Sequence, residues 1–512
     1  MDTIAHDFFL ILPQVELALF GLAILIFDFM LGVRDKTGNA IFAMMGVFFS
    51  GVSLYRLHTE LGPDPVGGFT SSIVVDPFFI FFGMIFLVAL ALVILLSVRY
   101  MQIEQEHHGE YYALLLFATV GMMFMASGYD LIVQFLGLET MALSFYILAG
   151  FLRGQRRSNE AAVKYLLLGA FSSGLLAYGF SLLYGISAMA DVRGPMGLPL
   201  MLPRTNIDVL RSALEQGVDG PGQLLVFLAI ATVAAGLFFK VAAVPFHQWA
   251  PDVYEGAPTT ITLYISVASK TASFALLLRL FIYAFWPVRV DWIGIIAVVA
   301  VASLTIGNLA ALTQTNVKRM LAYSSISHAG YVLLGLVAAL SGPEGNATGM
   351  TGIAFYLFAY AFMTAGAFAI IIALRRQGLI GDELDDLNGL IHRSPAAAVL
   401  LLIFMLSLAG IPPLAGFIGK YYIFLALIQT GHYYLAIFGA LYIVPALYYY
   451  FRVVVHAWLR EPGAAAEVTV SPAQSVALAV MCAVTLVAGI YPEPFIQMAT
   501  HSLSIPAAIL GR

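Results

Sequence analysis

Long apolar segments run through nearly the whole chain and constrain its fold more than any other feature. An α-helix needs about 20 apolar residues to cross a ~30 Å hydrocarbon layer. About fourteen segments approach this length, at 10–31, 40–57, 74–98, 112–127, 131–151, 161–186, 224–245, 259–286, 292–312, 320–340, 351–374, 396–429, 433–459 and 473–491. Only 10% of the residues are charged, whereas soluble domains carry ~25%. The sequence therefore predicts an all-α polytopic membrane protein with about 14 transmembrane helices.

The connections between these segments indicate a single membrane domain, 1–512. The longest connection, 187–222, is rich in proline, glycine and charge, which predicts an extramembrane loop. The first residues, MDTIAHDFF, are acidic where a signal peptide is basic, so we expect the first apolar segment to remain as a helix.

Basic residues in the short loops predict the orientation of the chain. They concentrate in the loops after the fifth, ninth and eleventh segments: Arg153, Arg156, Arg157, Lys318, Arg319, Arg375, Arg376 and Arg393. Because cytoplasmic loops carry the excess of Lys and Arg, the odd-numbered loops are expected to be cytoplasmic. Both termini would then be periplasmic.

Composition argues against several classes of function. The net charge of −5 is small and dispersed, so no basic face for nucleic acid is expected. One cysteine, Cys482, is too few for a disulfide framework, a cysteine-rich zinc site or an iron–sulfur cluster built by this chain alone. Because no glycine-rich phosphate-binding motif occurs either, we expect no bound nucleotide, no metal and no cofactor.

Four ionisable residues lie deep within apolar segments: Glu139, Lys240, Lys270 and Lys420. A charge at the bilayer centre costs at least ~2.5–3.5 kcal/mol, so each needs a function or a partner. Desolvation favours the neutral form of lysine and of glutamate, and a nearby opposite charge restores the ionised form. A buried pair that approaches or separates can therefore take up or release a proton.

The structural alternative for a lysine is that its long side chain reaches the membrane interface. That alternative suits Lys164, at the start of its segment. It is disfavoured for Lys270 and for Lys240, which lies ~24 Å along its helix at ~1.5 Å per residue. For Glu139 the alternative is a structural ion pair with a lysine.

Prolines interrupt two of the segments close to these lysines. Pro245 follows Lys240 by five residues, and Pro412–Pro413 precede Lys420 by seven. A proline removes a helical hydrogen bond, and broken helices beside ionisable residues in two halves of a chain indicate an ion site at a repeat interface. A simple proline kink is the alternative.

Two further polar stretches admit two readings each. Ser324, His328 and Tyr331 recur at helical spacing and share one face, which indicates either a hydrated path or hydrogen bonds between helices. The stretch 245–258 resembles an interfacial turn with Trp249 as an aromatic anchor, in which His247 is either a proton-entry group or merely interfacial.

Three long motifs occur in these same stretches: PFHQWAPDVYEGAPT, KRMLAYSSISHAGY and GIPPLAGFIGK. Together they resemble the antiporter-like membrane subunits of respiratory complex I, over most of the chain. Among those subunits the chain is most similar to the N type of NADH–quinone oxidoreductase. The VYEGAPT ending and Lys420, where the M type has glutamate, match that type, and the long lateral helix of the L type is missing.

The resemblance implies N-terminal helices in 1–110, inverted five-helix repeats in 111–286 and 290–460, each with a broken helix, and a C-terminal helix in 470–512. Glu139 would pair with Lys240, Lys270 would relay protons with help from His328, and Lys420 would serve the exit or a second channel. FMN, iron–sulfur clusters and quinone would belong to partner subunits.

The expected function is thus that of a proton-translocating subunit of NADH–quinone oxidoreductase, a translocase, in a bacterial inner membrane. Its partners would be other membrane subunits, the lipid bilayer and protons. The alternatives are an Mrp-type cation/proton antiporter subunit and a passive membrane scaffold.

Overall fold

The computed structural model describes residues 3–30, 36–190, 202–217, 221–342, 345–375, 381–462 and 470–503. In these ranges thirteen helices are long and apolar enough to cross a membrane. Every apolar segment of the sequence coincides with one such helix, except 396–429, which forms two shorter helices. The predicted all-α membrane architecture is confirmed, while the number of fourteen crossings stays a prediction.

The helices are, in chain order, α1 Thr3–Leu10, α2 Leu12–Phe27, α3 Thr37–Leu61, α4 Pro77–Glu104, α5 Gly109–Ser127, α6 Leu131–Ala149, α7 Arg156–Met189, α8 Ile207–Gln216, α9 Pro221–Lys240, α10 Trp249–Gly256, α11 Thr259–Tyr264, α12 Lys270–Leu278, α13 Arg289–Ala311, α14 Val317–Leu340, α15 Ala347–Leu374, α16 Leu390–Arg393, α17 Pro395–Ala409, α18 Ala415–Gln429, α19 Tyr433–Leu441, α20 Ile443–Leu459, α21 Pro472–Ile490 and α22 Glu493–Ser502. Two π-helical segments, Ile265–Ser269 and Arg279–Ala284, flank α12, so that Thr259–Ala284 forms one continuous membrane helix.

The centre of the molecule is made of three long helices. Every residue of Thr259–Ala284 is buried, and nearly every residue of α14 and α15 is buried as well. Outer helices such as α2 and α7 expose large apolar side chains, which suits contact with lipid. Lys270, Arg279 and His328, which lie on these central helices, are therefore enclosed by protein.

The structure corrects the prediction for the connection 187–222. α7 continues to Met189, and the connection contains the short amphipathic helix α8. Asn206 caps α8 by accepting a hydrogen bond from the backbone N–H of Asp208 at 2.9 Å, and Ile207 and Leu210 are buried beneath it. The prediction missed this helix because it weighed proline, glycine and charge without testing helical periodicity. Residues 191–201 and 218–220 of this connection, like Arg376 and the chain end from 504 on, lie outside the described residues.

A short antiparallel hairpin precedes α4 and was not predicted either. β1 Val66–Gly68 pairs with β2 Ile73–Val75, with Val66 opposite Val75. Directly after β2, the carboxylate of Asp76 caps α4 by accepting from the N–H of Phe79 at 2.8 Å. Strands of three residues are too short to be recognised in so apolar a sequence.

Trp249 is not the interfacial anchor that the sequence suggested. It is 3% exposed and begins α10, and its indole N–H donates to the carbonyl oxygen of Phe239 at 2.8 Å. That carbonyl lies near the end of α9 and also accepts from the backbone N–H of Ala242 at 3.0 Å. The indole thus helps to close the end of α9 inside the protein.

Candidate functional site

Lys240 is the last residue of α9, at the point where this membrane helix is broken. The chain then passes through 241–248 without regular helix before α10 begins. The Lys240 side chain is 5% exposed, and its Nζ donates to the hydroxyl of Tyr146 on α6 at 3.3 Å. The same Nζ lies 5.7 Å from the ring centre of Tyr146. The interruption predicted from Pro245 is therefore present beside a buried ammonium group.

Glu139 is only partly buried, and its contact with Lys240 is not direct. Among the described residues no basic group lies within ion-pair distance of its carboxylate, and Oε1 has no hydrogen-bond partner. Glu139 and Tyr146 are seven residues apart and so share a face of α6. Tyr146 thus provides the contact with Lys240 that the sequence assigned to Glu139.

Lys270 begins α12, directly after the first π-helical segment, and it is 3% exposed. Its Nζ donates to the backbone oxygen of Ser325 on α14 at 2.7 Å and also contacts the Ser325 hydroxyl. The hydroxyls of Tyr360 and Tyr254 lie 2.9 and 3.3 Å from the hydroxyl oxygen of Ser325. Lys270 is therefore held by a cluster of neutral hydroxyl groups.

His328 lies one turn farther along α14 and is 4% exposed. Its Nδ1 is 2.6 Å from the hydroxyl of Tyr356, and its Nε2 is 3.0 Å from the hydroxyl of Tyr450. Tyr450 in turn contacts the hydroxyl of Ser324. The predicted polar face of α14 thus exists, and it forms hydrogen bonds between helices, which was one of the two readings of this stretch.

Lys420 lies on α18, beyond the interruption that follows α17. Its Nζ donates to the carbonyl oxygens of Ala409 at 2.8 Å and Leu408 at 3.3 Å, which are the last residues of α17. A helix C-terminus carries partial negative charge, which stabilises a cation there. The same Nζ lies 4.9 Å from the ring centre of Tyr331. The break in the helix therefore supplies the partners of Lys420.

Aromatic residues occupy the space between the three lysines. Between Lys270 and Lys420, the ring of His328 lies 5.1 Å from that of Tyr360, and the rings of Tyr331 and Tyr356 are 6.2 Å apart. Between Lys240 and Lys270, ring contacts connect Tyr146 to Tyr165, Tyr165 to Trp249 and Trp249 to Tyr254. Four of the five predicted site residues thus lie along one buried polar band, and Glu139 lies at its edge.

Sequence reasoning missed two buried cations. Lys318 was counted as a loop residue, but it is 3% exposed and donates to the carbonyl oxygen of Ala257 at 2.8 Å. Arg279 is fully buried and pairs with Asp76. The signal for Arg279 was available, since it is a lone arginine in the apolar stretch FALLLRLFIYAF. Lys318 was missed because it lies beside a loop and was counted among the basic residues of that loop.

Lys164 is neither buried nor unpaired. Its side chain is 41% exposed, and its Nζ lies 2.8 Å from Glu160 and 2.7 Å from Asp252. Arg319 joins the same cluster, with Nη1 2.7 Å from Asp252 and 3.0 Å from Glu255. The reading of Lys164 as a side chain that reaches the interface agrees with this exposure.

Electrostatics differ between two groups in the connection between α9 and α11. Burial would raise the pKa of Asp252, but hydrogen bonds from Lys164 and Arg319 outweigh it and hold that pKa below its ordinary value. Burial lowers the pKa of His247, which favours neutral imidazole.

Within the described ranges, no group of three or more His, Cys, Asp or Glu side chains is arranged to hold a metal ion. The expectation that the chain binds no cofactor stays a prediction.

Comparisons with known proteins agree with this arrangement. Residues 128–444 match the family described as NADH:quinone oxidoreductase/Mrp antiporter, transmembrane. A protein of Solibacter usitatus named NADH-quinone oxidoreductase subunit N 2 is 52% identical over 509 residues, covering 97% of both chains. A chain of respiratory complex I from Thermus thermophilus with bound aureothin is 30% identical, covers 95% of this chain and 99% of its own, and gives a TM-score of 0.76.

A chain of the Mrp complex from Dietzia shares the fold, with a TM-score of 0.80 at 20% identity and 96% coverage of both chains. The match to the family covers more than half of the chain, and it includes the buried lysines and both broken helices. The chain therefore belongs to the NADH:quinone oxidoreductase/Mrp antiporter transmembrane family.

Proposed function

We propose that the chain is the proton-translocating N-type membrane subunit of a bacterial NADH–quinone oxidoreductase. The observation that carries this proposal is the environment of Lys240, Lys270 and Lys420. Each is at most 5% exposed, and among the described residues each donates only to neutral oxygen atoms. An ammonium group without a carboxylate partner is costly in such a place, which favours a transport role over a static ion pair.

In this proposal the lysines pass protons along the buried band. Lys240 exchanges a proton near the first broken helix, under the influence of Glu139, and Lys270 relays it centrally. His328 and the surrounding tyrosine hydroxyls assist the transfer towards Lys420, which serves the exit or a second channel. A histidine flanked by two hydroxyls can accept at one ring nitrogen and donate at the other, which a relay requires.

The two broken helices support the proposed pair of inverted repeats, 111–286 and 290–460. In each half a membrane helix ends early and an ionisable residue lies beside the break: Lys240 at the end of α9, and Lys420 against the end of α17. Such a correspondence is typical of ion sites at repeat interfaces. The remaining helices would form the flanking units, 1–110 and 470–512.

The relatives' names place this chain in a larger assembly. We propose that other membrane subunits of complex I surround it and that FMN, iron–sulfur clusters and quinone are held by partner subunits, with no cofactor in this chain. We further propose a location in the bacterial inner membrane with both termini periplasmic. The burial of Lys318 removes one of the basic residues on which that orientation depends, but Arg153, Arg156, Arg157 and Arg319 still support it.

The test is Lys240→Ala in the assembled complex, reconstituted in vesicles. We expect NADH-driven proton uptake to be abolished or sharply reduced while the complex still assembles, because the amine that takes up and releases the proton is removed. The matched control is Lys36→Ala, since Lys36 lies outside the candidate spans and pairs with Asp28 at 3.0 Å. Unchanged pumping in Lys240→Ala would favour the scaffold alternative.

A further inference from the structure

A second buried charge pair lies away from the lysines, at the end of the molecule where α4 begins and α5 ends. Arg279, which is 0% exposed, directs Nη1 to Oδ2 of Asp76 at 2.5 Å and Nη2 to Oδ1 at 3.1 Å. Nη2 also donates to the backbone oxygen of Ala126 at 2.7 Å. The guanidinium thus joins the start of α4, the end of α5 and the central helix Thr259–Ala284.

Aromatic rings enclose this guanidinium. Its carbon lies 4.3 Å from the ring centre of Phe78, 5.5 Å from that of Tyr283 and 5.8 Å from that of Tyr129. Asp76 is only 8% exposed and is held in turn as the cap of α4. The pair therefore fills the space between these helix ends and is tightly positioned there.

Arg279 lies on the same helix as Lys270. Arg279 follows Lys270 by nine residues, which is ~13 Å at ~1.5 Å per residue. Lysine and arginine differ in the property that matters for proton transfer, because a buried lysine can release its proton whereas arginine stays protonated in proteins. A fixed guanidinium is also the kind of group that excludes protons and cations in membrane pores.

The surroundings of the pair are polar enough to hold water. Next to Ala126, the Ser127 hydroxyl accepts from the amide of Gln14, and the Gly128 carbonyl accepts from the amide of Gln134. Both amides keep a buried oxygen without a partner among the described residues, and the Nε of Arg279 has none either. Buried polar atoms of this kind commonly bind internal water. A route for protons towards Lys270 would exist here if no group closed it.

We infer that the Arg279–Asp76 pair is a proton barrier, which closes this end of the central helix so that protons do not leak past Lys270. The inference rests on the proposed proton translocation through Lys270. Asp76 neutralises and orients the guanidinium, and the guanidinium keeps a titratable carboxylate from acting as a proton carrier. Both residues are positioning groups and do not themselves carry the transferred proton.

The experiment measures passive proton leak in vesicles that hold the assembled complex, without NADH, after a pH step reported by an internal dye. Arg279→Lys places a group that can exchange its proton at this site, and Arg279→Gln leaves the Asp76 carboxylate unpaired. We expect a several-fold faster leak in both. Asp76→Asn keeps the guanidinium, so we expect it to leak no more than the parent. The double variant Asp76→Asn/Arg279→Gln lacks the guanidinium, so we expect it to leak faster than the parent.

The leak rates of the four variants distinguish a proton barrier from a pair that is merely structural. A structural role would lower the thermal stability of all four variants and leave the leak the same in each. The inference is overturned if Arg279→Gln is as tight as the parent, or if Asp76→Asn leaks as much as Arg279→Gln. Arg56→Gln, which breaks the exposed pair with Glu60, is the control. Because no NADH is used, failure of Lys240-dependent pumping would be seen separately.

Discussion

At the scale of single residues, neutral oxygen atoms hold all three buried lysines. Lys240 donates to a tyrosine hydroxyl, Lys270 to a serine and Lys420 to backbone carbonyls. The sequence identified these lysines correctly as buried, because they lie too deep within their apolar segments for a lysine side chain to reach the interface. The partners of Lys240 and Lys270 lie 94 and 55 residues away in the chain, and those of Lys420 lie at the end of the preceding helix, so no spacing rule could name them.

Gly169→Ala tests the contact between Lys240 and Tyr146. A Cβ at Gly169 would lie 2.0 Å from the Tyr146 hydroxyl oxygen, so the hydroxyl that contacts Lys240 must shift. We expect proton pumping per NADH to fall and stability to drop by ~1–3 kcal/mol, as for other overpacked sites. Gly174→Ala, on the same helix with nothing within 4 Å of its Cβ, is the control. Equal pumping in both variants would show that Tyr146 is not needed.

At the scale of elements, the interruption between α17 and α18 brings a lysine to the end of a helix that it does not belong to. α17 ends at Ala409, and Gly410 follows in the left-handed region with φ 88°. A left-handed residue is a common way to end a helix. The prolines of the sequence predicted the break. Only the fold shows that Lys420 donates hydrogen bonds to the carbonyl oxygens at the end of α17, which the break leaves without helical partners.

Gly410→Ala tests this arrangement. Its Cβ would lie 2.9 Å from Cδ and 3.1 Å from Nζ of Lys420, in addition to the left-handed strain of ~1–2 kcal/mol. Gly431→Ala bears a similar strain, at φ 79°, with nothing within 4 Å. We expect both variants to melt at lower temperature and only Gly410→Ala to lose proton pumping. A pumping loss in both would assign the effect to backbone strain.

At the scale of the whole molecule, the central helices are closed off while the outer ones are not. Thr259–Ala284 is entirely buried, whereas α2 and the helices from Tyr433 to Leu459 expose many large apolar side chains. Lipid or neighbouring subunits must cover those faces, because contact between such large apolar surfaces and water is unfavourable. Protons can therefore pass between solvent and the ionisable groups of the buried band through the ends of the helix bundle or through neighbouring subunits.

Purification of the native protein distinguishes the remaining functions. If the chain is a complex I subunit, it should co-purify in mild detergent with iron–sulfur and flavin subunits, detected by their absorbance and by mass spectrometry. Its exposed apolar faces give a physical reason for such association. Isolation as a stable and active sodium/proton exchanger without redox subunits would instead support the Mrp-type alternative.

The sequence by itself determined the membrane architecture, the two broken helices and the buried positions of Lys240, Lys270 and Lys420. These properties depend on local hydropathy, on proline and on distance along a helix, all of which can be read in one dimension. Only the tertiary structure decided which oxygen atoms hold each lysine, that Glu139 lies at the edge, and that Arg279 meets Asp76 across 203 residues of chain. Such contacts depend on how helices pack, and packing joins residues whose separation in the sequence carries no signal.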